Sequence, residues 1–371
     1  MTLQKNPGAV RRFTKLTRFA AWLQNIPNKL TPAPFRLVQI SASYWQSRVL
    51  YVAAKLDIAT ALADGQLTAE ELATRVHAQP DAIYRLLRML AAMGIFVEVS
   101  PHVFRNNTLS NCLREGCPKS VRAMILMHNS PELSQPWFEK LEQGVRNGEV
   151  AFSLTHGQDL WAYLDTHPEF DKLFARAMDS VEALVGESFA TDFDWSRFER
   201  LIDVGGSNGC KSVAILKRHP QLKALVADRE QVIRGAAEFW QQREERTLLP
   251  RMSFEACDLL LSAPKAASDK DIYLLSAVLH GLGDDACITV LRNLATASAG
   301  TGATIAVMEM VMPDMQADMA TASFDMQMFA TTRGRERTLA EWRRLFERSG
   351  LKLQEVVGLQ SFGKILVLRA V

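Results

Sequence analysis

One run constrains this chain more than any other: Leu201-Ile202-Asp203-Val204-Gly205-Gly206-Ser207-Asn208-Gly209, with a helical pattern opening at Cys210. Glycine is needed where backbone turns tightly or approaches a ligand, so the run reads as a strand, a binding turn and a helix start. Further β-rich runs occur at 224–226, 272–275 and 303–307, with helical patterns between them. Strands alternating with helices predict βαβ units, hence an α/β domain whose parallel sheet is covered on both faces.

The first half of the chain has a helical period instead. Phe13, Leu16, Phe19, Leu23 and Ile26 recur at helical spacing, while Arg11, Arg12, Lys15 and Arg18 take other positions. This is a basic amphipathic arm, expected over 1–36 and broken off by Pro27, Pro32 and Pro34. It suits packing on a partner subunit or lying on a membrane surface. Arg11-Arg12-Phe13 touches on a twin-arginine signal, but the stretch from Thr17 to Gln24 is too short and polar for an export h-region. No apolar run reaches the length of a bilayer span, so no stable membrane insertion is expected.

From Leu37 to Leu62 the pattern is helical and apolar on more than one side, which points to a subunit interface. Thr68 and Glu71 form a capping box, and Gln79-Pro80-Asp81 opens a second helix carrying Ile83, Leu86, Leu87 and Leu90. Gly94 closes that helix, and 95–99 with 103–105 make a short hairpin. Helix, turn, helix, hairpin is the outline of a winged helix. As a DNA reader its second helix offers only Arg85 and Arg88, set among leucines, in a chain of formal net charge +2. Backbone binding demands a larger positive patch, so the wing serves packing and dimerisation and no nucleic-acid partner is expected. A helical pattern anchored by Trp137, Phe152, Trp161 and Phe174 then continues from Ser120 to Val185. The expected domains are therefore the arm at 1–36, a helical winged-helix domain at 37–190 and the α/β domain at 191–371.

Cys112, Cys117, Cys210, Cys257 and Cys287 form no CxxC pair, are odd in number and have no histidine at ligand spacing. Reduced thiols, a cytoplasmic location and no metal are the resulting expectations.

The chemistry gathers after the strands. Glycines at 205, 206 and 209 with serine at 207 do not make GxGxxG, and serve a pyrophosphate poorly. The competing reading is a loop that cradles the amino-acid tail of a sulfonium nucleoside. Asp228 ends the next strand, where an acid can accept both ribose hydroxyls, and Arg229 comes directly after it. Asp258 and Leu259 lie beyond a third strand, positioned for an adenine amino group and ring. Ser276 closes the fourth strand, which runs into His280, an imidazole placed to take a proton from an attacking hydroxyl.

Three motifs occur in order and at fitting spacing: Asp203 to Gly209, the Leu279-His280 turn with Asp284-Asp285-Ala286-Cys287, and Gly334-Arg335-Glu336-Arg337-Thr338. Together they resemble the plant-type O-methyltransferase family, which includes caffeate, isoflavone and acetylserotonin enzymes and many bacterial secondary-metabolite enzymes. The resemblance covers nearly the whole chain from about residue 37. It implies a Rossmann-like class I methyltransferase domain behind an all-helical, winged-helix dimerisation domain, in a homodimer whose N-terminal domains intertwine. It implies S-adenosyl-L-methionine as cofactor, S-adenosyl-L-homocysteine as product, and a small-molecule acceptor. Asp203, Gly205, Gly206, Gly209, Asp228, Arg229, Asp258, Leu259 and Ser276 are then the cofactor residues. His280 matches the family's general base, and Glu309 and Glu336 match two acids that orient it. Met178 and Met328 match methionines that sandwich an aromatic acceptor, a task suited to a polarizable thioether. Phe152 and Phe324 join them as acceptor-site candidates. The sequence departs from the family where His280-Gly281-Leu282 replaces His-Asp-Trp, and where Ser207 and Asn208 interrupt a run of glycines.

The expected reaction is O-methylation of a small aromatic secondary metabolite. Two alternatives remain: methyl transfer to nitrogen or carbon on the same scaffold, and a family member repurposed for hydroxylation, decarboxylation or pericyclic chemistry.

Overall fold

The computed structural model describes residues 2–180 and 186–371. It divides into one unit of Arg18–Leu184 and another of Met1–Thr17 with Val185–Val371. Residues 181–185, the tail of the helical run expected to reach Val185, lie outside the described residues. The N-terminus therefore does not stand apart as a separate arm over 1–36. Its first residues belong to the sheet-bearing unit, because Leu3 and Gln4 donate backbone N–H groups to the Glu355 carboxylate at 2.8 and 3.2 Å. The Gln4 side chain exchanges hydrogen bonds with the Gly358 backbone. Leu3 itself packs into the core with Phe189 and Phe193.

The next helix, Pro7–Leu30, runs through Pro27 and stops ahead of Pro32. The break expected at Pro27 does not occur. A proline inside a helix orphans a carbonyl one turn earlier, here that of Leu23. Leu23 is 45% exposed, so water can satisfy it.

In the helical unit the apolar stretch 37–62 is three helices, Ala33–Ser41, Ser43–Lys55 and Ile58–Leu62. Asp57 turns the chain between the last two with φ of 54°. The winged helix comes next, as expected. Ala69–Arg75 begins at the reciprocal Thr68–Glu71 capping box, and Pro80–Ala92 ends into Gly94 at φ 74°. Strands β1 (Gln66–Thr68), β2 (Phe96–Ser100) and β3 (Val103–Asn106) form an antiparallel sheet in the order β1-β3-β2. Leu62, Leu72, Leu87, Leu90, Phe96 and Phe104 close its core. Trp22, Val38, Tyr44 and Trp45 stay exposed in the single chain, the surface a subunit interface would cover.

The second unit is built on β4 (Arg200–Val204), β5 (Lys223–Asp228), β6 (Met252–Ala256), β7 (Asp271–Ser276), β8 (Thr304–Met312), β9 (Arg337–Thr338), β10 (Leu351–Gly358) and β11 (Gly363–Ala370). Their order is β10-β11-β8-β7-β4-β5-β6, with β9 beside β8. β4 to β8 pair in parallel, as the alternation predicted, while β10 and β11 add an antiparallel hairpin at one edge.

Successive strand residues face opposite sides, and the two cores sort accordingly. Leu201, Ile272 and Leu274 pack with Ile215 and Trp195 on one face. Ile202, Val204, Tyr273 and Leu275 pack with Leu291 and Trp342 on the other. The strand order reverses at β4, with β5 to one side and β7 to the other. In such sheets the carboxyl ends flanking that reversal form the ligand crevice.

Candidate active site

The loops at those carboxyl ends are joined to one another. After β4, Gly205 donates to Ala227 O at 2.8 Å and Ser207 N–H to Asp228 Oδ2 at 2.8 Å. Asp228 also accepts from Arg229 N–H through Oδ1 at 2.7 Å, and its carbonyl takes the Cys257 N–H. Both Asp228 oxygens are thus oriented by backbone while the residue stays partly exposed. Asp258 caps its own turn by accepting from Leu260 N–H at 2.9 Å, and the Leu259 carbonyl is held by Asn293.

The glycines are required sterically. A Cβ on Gly205, at φ 72°, would lie 2.7 Å from Val278 of the turn after β7. One on Gly206 would lie 2.7 Å from Asp203 Cγ, and one on Gly209, at φ 82°, 2.9 Å from Val226. Asp203 is buried and accepts from Ser212 Oγ at 2.6 Å, which ties the turn to the helix Cys210–Arg218. Ser207, where a run of glycines is interrupted, still takes a left-handed backbone with φ of 52°. A loop stripped of side-chain bulk beside an oriented carboxylate fits an amino-acid tail and a ribose, so the residues present suit S-adenosylmethionine.

After β7 the backbone changes direction at Ala277, φ 54°, and a 3₁₀ turn Leu279–Gly281 presents His280. Its Nδ1 lies 2.7 Å from Glu336 Oε1. An ionised carboxylate only accepts, so Nδ1 carries the proton and Nε2 keeps its lone pair. The ring is 21% exposed and Glu336 is 1% exposed. Burial works to lower the His280 pKa. The charge of Glu309, and then the hydrogen bond and charge of Glu336, outweigh it against Arg337, so the pKa sits above the ordinary 6.5.

Glu309 does not bond the ring but the turn that carries it. Its Oε1 accepts Val278 and Leu279 N–H at 3.0 and 2.9 Å, so it holds the turn and acts on the His280 ring through its charge. Burial, aided by Glu336, holds its own carboxyl above the usual range despite His280 and those two N–H groups. Cys287 donates to Leu279 O at 3.2 Å, and burial pushes its thiol up to about 12, so it is no nucleophile.

The acceptor candidates fall in different places. Met328 and Phe324 lie on the helix Met319–Thr331 of the sheet unit, Phe324 39% exposed. Met178 sits partly buried in the helical unit. Phe152 is fully buried within that unit's own core, edge-on to Tyr163 at 5.3 Å. That packing accounts for the ring without a ligand.

Two residues to which the sequence reading gave no role also hold this arrangement together. Asp325 Oδ1 accepts Glu336 N–H at 2.9 Å, and Arg337, 1% exposed, bonds the Leu279 and Leu282 carbonyls. The available signal for Asp325 was its being the lone charge on an otherwise uncharged helix. Arg337 had only its place between Glu336 and the Thr338 helix cap.

Among the described residues no cluster of His, Cys, Asp and Glu could hold a metal ion, and no helix is long and apolar enough to cross a membrane. The family profile of the O-methyltransferase domain matches residues 138–352, and that of the O-methyltransferase dimerisation domain matches 38–116. The phenazine O-methyltransferase of Lysobacter antibioticus is 32% identical over 86% of this chain and 92% of its own. The phenazine-1-carboxylate N-methyltransferase of Pseudomonas aeruginosa is 30% identical over 92% and 98%. The crystal structure of CalO1, a methyltransferase in calicheamicin biosynthesis with S-adenosylhomocysteine bound, superposes with a TM-score of 0.78 at 28% identity, covering 91% of this chain and 98% of that one. Dimerisation domain, class I fold and cofactor loop agree: the chain is a homodimeric, S-adenosylmethionine-dependent member of the O-methyltransferase family.

Proposed function

We propose that this enzyme methylates a hydroxyl of a small aromatic secondary metabolite in the cytoplasm, with His280 as general base. The observation that carries the reading is the 2.7 Å bond from His280 Nδ1 to a buried carboxylate, which leaves Nε2 as a proton acceptor beside the cofactor loop. Asp203, Gly205, Gly206 and Gly209 form the cradle for the cofactor's amino-acid tail. Asp228 and Arg229 serve its ribose, Asp258 and Leu259 its adenine, and Ser276 the strand end beneath it. When bound, S-adenosylmethionine supplies a methyl on a cationic sulfur and leaves as neutral S-adenosylhomocysteine.

His280 Nε2 takes the acceptor's hydroxyl proton as the oxygen attacks that methyl. The imidazolium then sits in an ion pair with Glu336 and in the field of Glu309, both nearly excluded from water, where such a pair is worth more than at the surface. Met328 and Phe324, both on the helix Met319–Thr331, are assigned to the acceptor ring, a polarizable thioether and an aromatic face both suiting a flat π-system. Cytoplasmic residence is supported by five free thiols.

A second reading, transfer to a ring nitrogen, is favoured by the N-methylating relative at 30% identity, and such a nucleophile needs no base. Incubation with heavy-methyl S-adenosylmethionine and a metabolite extract from a strain lacking this gene separates the two. A labelled product whose fragments carry the methyl on oxygen is expected. A label on nitrogen or carbon replaces the hydroxyl reading, and no labelled product, with cofactor binding intact and the precursor present, removes both.

A further inference from the structure

The segment 334–337 grips the turn that carries His280 at every residue. A Cβ on Gly334 would collide with His280 O, so the two backbones are in direct contact. Arg335 N–H donates to that same oxygen at 2.9 Å, and Glu336 holds the ring. Arg337 completes the grip from below. Its Nη1 donates to Leu279 O at 3.1 Å and its Nη2 to Leu282 O at 2.8 Å, the carbonyls on either side of His280-Gly281. Nε and Nη2 are anchored on Asp284 Oδ1 at 3.1 and 2.8 Å, and the guanidinium carbon stands 5.1 Å from the Trp342 ring centre. A planar fork of fixed donors can hold two carbonyls and a carboxylate at once, which a lysine ammonium on a flexible stem cannot.

We propose that Arg337 is the positioning residue of the base: by tying both ends of the Leu279–Leu282 turn to Asp284 it delivers the His280 ring to Glu336 and aims Nε2 into the site. This rests on the reading of His280 as base. The charges acting on His280 are Glu309 from β8 and Glu336 and Arg337 from the gripping segment, while Asp284 of the helix Asp284–Ser298 bonds Arg337 and Asp325 of the helix Met319–Thr331 bonds the Glu336 N–H. Arg337 is the cation among them, so it also lowers the proton affinity of the imidazole that two buried acids raise.

The test uses the full-length enzyme as wild type and as Arg337→Met, Arg337→Lys and Asp284→Asn. The readouts are kcat and KM, cofactor affinity by calorimetry, and the His280 Cε1–H titration by NMR, assigned with His280→Asn. Arg337→Met should cut kcat about a hundredfold, the scale of a misplaced catalytic group. Its cofactor affinity should hold, and the His280 titration should move to higher pH because a cation has gone. Arg337→Lys should lose kcat similarly while the titration stays near wild type, since the charge remains and the fork does not.

If Arg337→Met fails to fold, Asp284→Asn carries the test, its side chain being 51% exposed. It should lower kcat and move the titration to lower pH, since an anion is lost. Wild-type kcat with an unmoved titration, in either Arg337→Met or Asp284→Asn, overturns the proposal. Failure of the base reading looks different: His280→Ala keeps turnover, whatever the titrations do.

Discussion

His280 works at a residue scale set by charge rather than by contact alone. Its pKa is raised above 6.5 by Glu309 and Glu336, so the neutral ring that accepts a proton is populated only at higher pH than for an ordinary histidine. The acid limb of kcat/KM should therefore fall above pH 6.5. Replacing Glu336 with Gln removes an anion and so lowers the His280 pKa. The amide can also donate to Nδ1 and force the wrong tautomer. A pH–rate series on Glu336→Gln should show the acid limb at lower pH and a kcat lower by about two to four orders of magnitude, the usual worth of a base. An acid limb that stays put would mean that Glu336 does not set the proton affinity of the ring. His280 drew attention in the sequence because it follows the fourth strand, while Glu309 and Glu336 were reached only through the family resemblance, Glu309 lying within β8 rather than beyond it. The split of labour between the acids was not legible, since which atom of Glu309 meets which N–H depends on how β7 turns at Ala277.

Among elements, the turn after β4 and the turn after β7 are one unit, because Gly205 and Val278 touch. Gly206→Ala places a Cβ against Asp203 and pushes it off Ser212. Urea unfolding should register a loss of about 1–3 kcal/mol, typical of overpacking, and calorimetry a weaker affinity for S-adenosylmethionine. Unchanged values for both would remove the steric argument for that glycine. Glu309→Ala leaves the Val278 and Leu279 N–H groups without their acceptor, at about 1–3 kcal/mol per buried donor. Its urea midpoint should fall with the slope unchanged. The four central strands were readable from apolar runs bounded by helices. The β10–β11 hairpin was not, because its register shifts between Leu353 and Glu355 and breaks the strict alternation that marks a strand.

At the scale of the whole molecule, the switch from helical period to βαβ alternation set a boundary near 190, and the structure divides into Arg18–Leu184 and Met1–Thr17 with Val185–Val371. The N-terminal tether escaped detection because Gln4 and Gly358 are 354 positions apart, beyond anything spacing can register. Trp45 is 55% exposed in the single chain and lies inside the dimerisation domain. Trp45→Glu puts a charge on that exposed apolar face, and sedimentation should show it shifting from the mass of two chains towards one if the second chain packs there. A variant that stays wholly dimeric would place the interface elsewhere. The central claim is that His280 removes the acceptor's proton. Its most direct test is His280→Ala, assayed for turnover and for S-adenosylmethionine affinity on the same preparation. Turnover lower by about two to four orders of magnitude with affinity unchanged is the predicted result, whereas full activity would contradict the account.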